Sequence, residues 1–189
     1  MKLFTTRVLL VALMLGTLTS FANNSDLGAK KIKIAFTDVK KGHELTIKNY
    51  EGIILHSEEV EREGDLVKIF DFSKLENGNY TLELEKDFEI IIKSIKVNND
   101  GILFDETSKK MIFKPVVRTK NNLLMISKIS FDKKPTNVTL FFNDEIILSE
   151  TVVSEDLLNR IYKLDENQKG DYKVIIKNNN RSYSNQFKI

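Results

Sequence analysis

Period-two alternation of apolar and polar residues, in short runs broken by turn formers, is the feature that most narrows the folds open to this chain. Ile32, Ile34 and Phe36 alternate with Lys31, Lys33 and Ala35; Leu45 and Ile47 alternate with Glu44, Thr46 and Lys48. Tyr80, Leu82 and Leu84 do the same with Thr81, Glu83 and Glu85. Successive strand side chains point to opposite faces, so each run offers one apolar and one polar face. An antiparallel sheet with one side in a core and the other in water needs that pattern. Turn formers separate the runs at Lys40-Lys41-Gly42, Glu51-Gly52, Glu63-Gly64-Asp65, Glu76-Asn77-Gly78 and Asn98-Asn99-Asp100-Gly101. About seven short strands at this spacing predict an all-β sandwich. Ser154-Glu155-Asp156-Leu157-Leu158 opens with an N-cap-like serine and is read as a loop or a single helical turn.

The chain also resembles itself. Sliding it by 93 places Lys31–Val60 on Leu124–Val153, with Ile53-Ile54-Leu55 on Ile146-Ile147-Leu148, Leu45 on Val138 and Phe36 on Ile129. Sliding by 92 then places Ile69–Val97 on Ile161–Ile189, with Gly78 on Gly170, Tyr80 on Tyr172 and Leu82 on Val174. Identity is 11 of 59 positions, so the case rests on matching apolar positions and on the shared Gly-x-Tyr turn. The expectation is an internal duplication: a first unit over 23–97, a linker over 98–110 and a second unit over 111–189. Met111-Ile112-Phe113 and Val116-Val117 read as one further strand, at an edge or bulged because Pro115 lacks an amide donor.

The N-terminus has the marks of a signal peptide over residues 1–22. Lys2 and Arg7 are basic, Val8–Leu15 is apolar, and Ser20-Phe21-Ala22 puts small residues at the cleavage positions. The apolar run is well short of the roughly 20 residues a membrane span needs. Of the 29 basic and 27 acidic residues, Lys2 and Arg7 leave with this leader, and the remaining chain carries 27 of each. That balance argues against a nucleic-acid partner. A transmembrane β-barrel is disfavoured by short strands, the absence of Trp, and lysines and glutamates on the non-core faces. The chain has no cysteine, which excludes disulfides, thiol nucleophiles and zinc-thiolate sites.

Catalytic signals are sparse. His43 and His56 are the two imidazoles. His56 could be paired on paper with Ser57 and Glu59, but neighbouring strand residues diverge and a triad needs convergence. The second copy is expected to have Ser149 at the position of His56. The acidic run Glu58, Glu59, Glu61, Glu63 and Asp65 contains Arg62 and lacks the ordered spacing of a calcium loop. No catalytic residue, cofactor site or metal site is assigned. Tyr50, Tyr80, Tyr162 and Tyr183 are the tyrosines considered for stacking on a sugar, with core packing the default for Tyr80 and Tyr172. Asn79, Asn137 and Asn180 head Asn-x-Ser/Thr sequons.

The stretch Phe70-Asp71-Phe72-Ser73-Lys74-Leu75-Glu76-Asn77-Gly78-Asn79-Tyr80-Thr81-Leu82, followed by Ile92-Lys93-Ser94-Ile95-Lys96-Val97, resembles a pattern in secreted Bacteroidetes proteins. That pattern belongs to the C-terminal sorting domain of the type IX secretion system, a small Ig-like β-sandwich. The second copy keeps Gly170-Asp171-Tyr172 and Gln186-Phe187-Lys188-Ile189 but departs at Asp165 and Asn167. The resemblance implies two tandem Ig-like units. The functional expectation is a non-enzymatic exported module of the periplasm or cell surface, meeting a protein or glycan partner through loops or sheet edges. The alternative is a type IX substrate whose C-terminal unit is a sorting domain.

Overall fold

The alternating runs form antiparallel strands. The computed structural model describes residues 30–153 and 156–189; the signal peptide expected over 1–22 lies outside them, as do Ser154 and Glu155. Among the described residues there is one turn of 3-10 helix, Glu106–Ser108, and no α-helix. No helix among them is long and apolar enough to cross a membrane.

In the first half, β1 (Lys31–Val39) pairs with β4 (Gly64–Asp71). Facing them is a sheet in the order β3 (Ile54–Glu59), β2 (Glu44–Asn49), β5 (Gly78–Glu85), β6 (Glu89–Asn98) and β7 (Gly101–Phe104). Ile32, Ile34 and Phe36 of β1 bury against Leu45 and Ile47 of β2, Leu82 and Leu84 of β5, and Ile91 and Ile95 of β6. These are the inward positions of the period-two pattern, each removing apolar area worth about 1.5–3 kcal/mol from water. The architecture is sandwich-like, with one core between two sheets.

The second half has its own core. β10 (Leu123–Ile129) lies between β13 (Leu157–Lys163) and β9 (Val116–Lys120). The facing sheet runs β12 (Glu145–Val152), β11 (Thr136–Phe142), β14 (Asp171–Asn178) and β15 (Arg181–Lys188). Leu124, Ile126 and Leu158 pack on Val138, Leu140, Tyr172, Val174 and Ile176. Tyr80 donates its hydroxyl to the Glu76 carbonyl at 2.8 Å, and Tyr172 does the same to Gln168 at 3.1 Å. Each hydroxyl anchors the turn before its strand while the ring stays in the core.

Strand pairing corrects the slide by 93. Ile34 faces Lys68 and Phe36 faces Leu66, whereas Ile126 faces Arg160 and Lys128 faces Leu158. The inward slot of Phe36 therefore corresponds to Lys128, not to Ile129, which is 38% exposed. Likewise Ile47 faces His56 and Leu140 faces Leu148, so Leu148, not Ser149, takes the place of His56. An offset of 92 holds in β1, β3, β4 and β5, and 93 holds in β2 alone. The reason is connection length: Leu45 lies nine positions after Phe36 but Val138 ten after Lys128, and His56 lies nine after Ile47 but Leu148 eight after Leu140, where Asn143-Asp144, both at positive φ, make the tighter turn. A one-residue slip turns a strand over, so apolar identity in exposed stretches misleads here.

The boundary also differs from expectation. β7 falls in the stretch read as linker, and β8 (Lys110–Phe113) straddles its end; both pair with β6. β9 pairs instead with β10 across an Asn121-Asn122 turn, both residues at positive φ. The stretch read as one strand thus divides between two sheets, and the crossing falls at Lys114-Pro115, where proline has no amide to lend either ladder.

Among the described residues β1 pairs only with β4. Lys93 donates to the Ala35 carbonyl at 3.1 Å and Lys86 to the Thr37 carbonyl at 3.0 Å, so side-chain ammonium groups satisfy part of this edge. Lys93 reaches it from within the sandwich, its ammonium over the Phe36 and Phe104 rings.

Candidate functional site

A hollow of about 1040 Å³ lies on the outer face of the β2-β5-β6-β7 sheet. Period two sets its floor. Because Leu45, Ile47, Leu82, Leu84 and Ile95 point into the core, Lys48, Thr81, Glu83, Ser94 and Lys96 point out into the cleft. The Tyr50–Gly52 loop bounds one side, and Leu103 to Asp105 bound another. Asn180 and Arg181, from the β14–β15 turn of the second half, complete the lining.

Glu83 organises the charge. Its two oxygens accept from different cations: Oε2 from Lys48 Nζ at 2.7 Å and Oε1 from Arg181 Nη2 at 2.8 Å. Burial opposes ionisation of this carboxyl, but the hydrogen bonds from Arg181 and Lys48 outweigh it and hold the group below the usual carboxylate range. Glu83 is therefore an ionised structural acceptor at neutral pH. Asp105, at the rim, is also held below its usual value, by hydrogen bonds from the Thr107 hydroxyl and backbone amide.

Tyr50 is 78% exposed and stands on the rim. Its loop is braced: Asn49 Oδ1 accepts from the backbone amides of Glu51 at 3.1 Å and Ile53 at 2.9 Å, and the Gly52 amide donates to the Asn49 carbonyl at 3.0 Å. Gly52 adopts φ 85°, a conformation that side chains resist. The Tyr50 hydroxyl donates to Glu51 Oε1 at 3.1 Å.

The other residues weighed from sequence do not converge. Ser57 donates to Glu44 at 2.7 Å, while His56 turns to the other face against Phe70 and stands 3.8 Å from Glu58. His43 is buried in the β1–β2 turn; its Nδ1 accepts from the Lys40 amide at 3.0 Å, and its Nε2 lies 3.6 Å from Asp87. Of the acidic run, Glu58 is engaged by Lys68 at 2.9 Å, and Glu59, Glu61, Glu63 and Asp65 share their hollow with Lys41 and Arg62. Among the described residues no three His, Asp or Glu side chains come together as a metal site. Tyr80 is core, and Tyr162 donates to Glu150 at 3.0 Å, with burial and that bond pushing its hydroxyl pKa up. The Tyr183 hydroxyl is buried, which likewise pushes its pKa up. Two sequon asparagines, Asn79 and Asn180, line the cleft, while Asn137 bonds across to β12.

A scan of protein-family models matches none of them to this chain, and a search of curated proteins finds none similar to it. The functional reading rests on geometry.

The Glu83–Arg181 contact spans 98 positions and lay beyond sequence reasoning. Tyr50 did carry a signal, being an aromatic beside a Glu-Gly turn.

Proposed function

We propose that this chain is a non-enzymatic exported binding protein of the periplasm or cell surface, built from two Ig-like β-sandwich units related by duplication. Three repeated features support the duplication. The sheet order β3-β2-β5-β6 recurs as β12-β11-β14-β15, and the β1–β4 pair recurs as β10–β13. The tyrosine latch is present in both halves, as at the corner of Ig domains. Lys68–Glu58 at 2.9 Å has its counterpart in Arg160–Glu150 at 3.0 Å.

The observation that carries the binding role is the cleft to which both halves contribute. Its buried carboxylate is held between two cations, which suits a fixed recognition surface better than proton transfer. A second reading, a type IX substrate with a C-terminal sorting unit, draws support from the separate core of the second half.

The test is intact-mass analysis and C-terminal peptide mapping of the protein from its native host, with cytosol, envelope and medium kept apart. An Asn23–Ile189 chain in the envelope is the expected result. A species in the medium lacking the second half selects the sorting reading, and a chain retaining Met1 in the cytosol overturns both.

A further inference from the structure

We propose that the cleft between the halves binds a neutral, hydroxyl-rich chain, a glycan segment, with Tyr50 as its stacking platform; this rests on the binding role above. The first argument is charge. Lys48, Lys96 and Arg181 are balanced by Glu51, Glu83 and Asp105, and Glu83 already engages Lys48 and Arg181. The cleft therefore offers little net field to a phosphate, a sulfated polymer or a nucleic acid, whose binding draws on unneutralised cations.

The second argument is the kind of polar group present. Asn79, Thr81, Ser94 and Asn180 supply amides and hydroxyls that both donate and accept. Sugar hydroxyls have the same dual character. A site of fixed polar groups selects ligands that satisfy them, because unpaired buried groups are costly.

The third argument is Tyr50. Tyr80, also in the lining, is buried in the core with its hydroxyl committed to Glu76. The Tyr50 ring is open to solvent and held by a braced loop. A rigid amphipathic ring gives contact area at low entropic cost, and the C–H face of a pyranose is the apolar surface it would cover. The corresponding loop in the second half is shorter, Asn143-Asp144, and carries no aromatic, so the platform belongs to the first half alone.

The experiment uses the Asn23–Ile189 chain and isothermal titration with maltoheptaose, cellohexaose, xylohexaose and mannohexaose as neutral probes, and heparin and polygalacturonate as anionic ones. At least one neutral probe is expected to bind with Kd below roughly 1 mM. Tyr50→Ala is expected to weaken it about tenfold. Phe88→Ala, at an exposed aromatic outside the cleft, is expected to leave it unchanged. Circular dichroism of each variant separates lost binding from lost folding. Absence of neutral binding, binding confined to the anionic probes, or indifference to Tyr50→Ala overturns the inference. Export is read independently by the mass analysis, so failure here with an enveloped Asn23–Ile189 chain rejects the ligand class alone.

Discussion

Replacing Glu83 by Gln removes the negative charge that Lys48 and Arg181 share. Glu83 is 11% exposed, Lys48 21% and Arg181 24%, so the two cations are left facing each other with limited water. Being bound to opposite oxygens of one carboxylate, they stand roughly 6 Å apart, where repulsion at an effective dielectric of about 20 approaches 3 kcal/mol. Rotation of both long side chains toward water relieves part of this, but a charge-assisted hydrogen bond worth about 1.5–3 kcal/mol is also weakened. The expected net loss is about 2–3 kcal/mol, below the 3–5 kcal/mol seen when a fully buried pair is broken. Urea unfolding measures it, and the diagnostic quantity is the cycle with Arg181→Met. Removing the arginine from the Glu83→Gln background relieves repulsion, so the double variant is expected to be at least about 1 kcal/mol more stable than additivity allows. Because the folded-state pKa of Glu83 is depressed, the wild-type advantage is present above the ordinary carboxylate value of 4.5 and is lost as pH falls through the folded value. Additive single-variant costs, or an acid slope unchanged by Glu83→Gln, would refute the reasoning.

Three further outcomes are expected. Tyr80→Phe and Tyr172→Phe each lose one hydroxyl-to-carbonyl bond, and denaturation should show similar costs of about 0.5–1.5 kcal/mol in the two halves. Lys128 is 4% exposed, burial lowers its pKa and its ammonium donates to Ser130 Oγ at 2.7 Å, so the double variant Lys128→Met/Ser130→Ala, which removes both partners, should stabilise the second half by about 1 kcal/mol near neutral pH. That gain should shrink as pH rises toward 10.5, because the folded wild type sheds its proton before the unfolded chain does. Lys93→Ala frees the Ala35 carbonyl on the β1 edge, and sedimentation velocity should show increased self-association.

What could be read in advance was the local pattern. Ile32, Ile34 and Phe36 face the core, as do Leu82 and Leu84, because alternation encodes a face directly. Register between distant strands was less legible. The identity of Ile53-Ile54-Leu55 with Ile146-Ile147-Leu148 pulled the slide to 93, yet Ile54 is 54% and Ile147 48% exposed on edge strands where packing sets no register. β7 is four residues long, too short for periodicity to announce it. The division of the stretch read as one strand into β8 and β9 was hidden because Asn121-Asn122 was not recognised as the turn that pairs β9 with β10. The cleft was illegible as a whole, since its charge centre joins Glu83 to Arg181 through tertiary structure alone.

The exchanged placement of buried lysines bears on how two similar halves avoid assembling wrongly. In the first half the inward slot of β1 holds Phe36 and the lysine, Lys93, comes from β6. In the second half the slot holds Lys128, and the β15 residue in the place of Lys93 is Asn185. If β10 invaded the first half during folding, Lys128 would meet Lys93, setting two ammonium groups together in a poorly solvated core. Neighbouring domains of similar architecture are prone to exchange strands. Here the lysine already in the first core opposes a second one brought by β10, so the core itself disfavours that exchange.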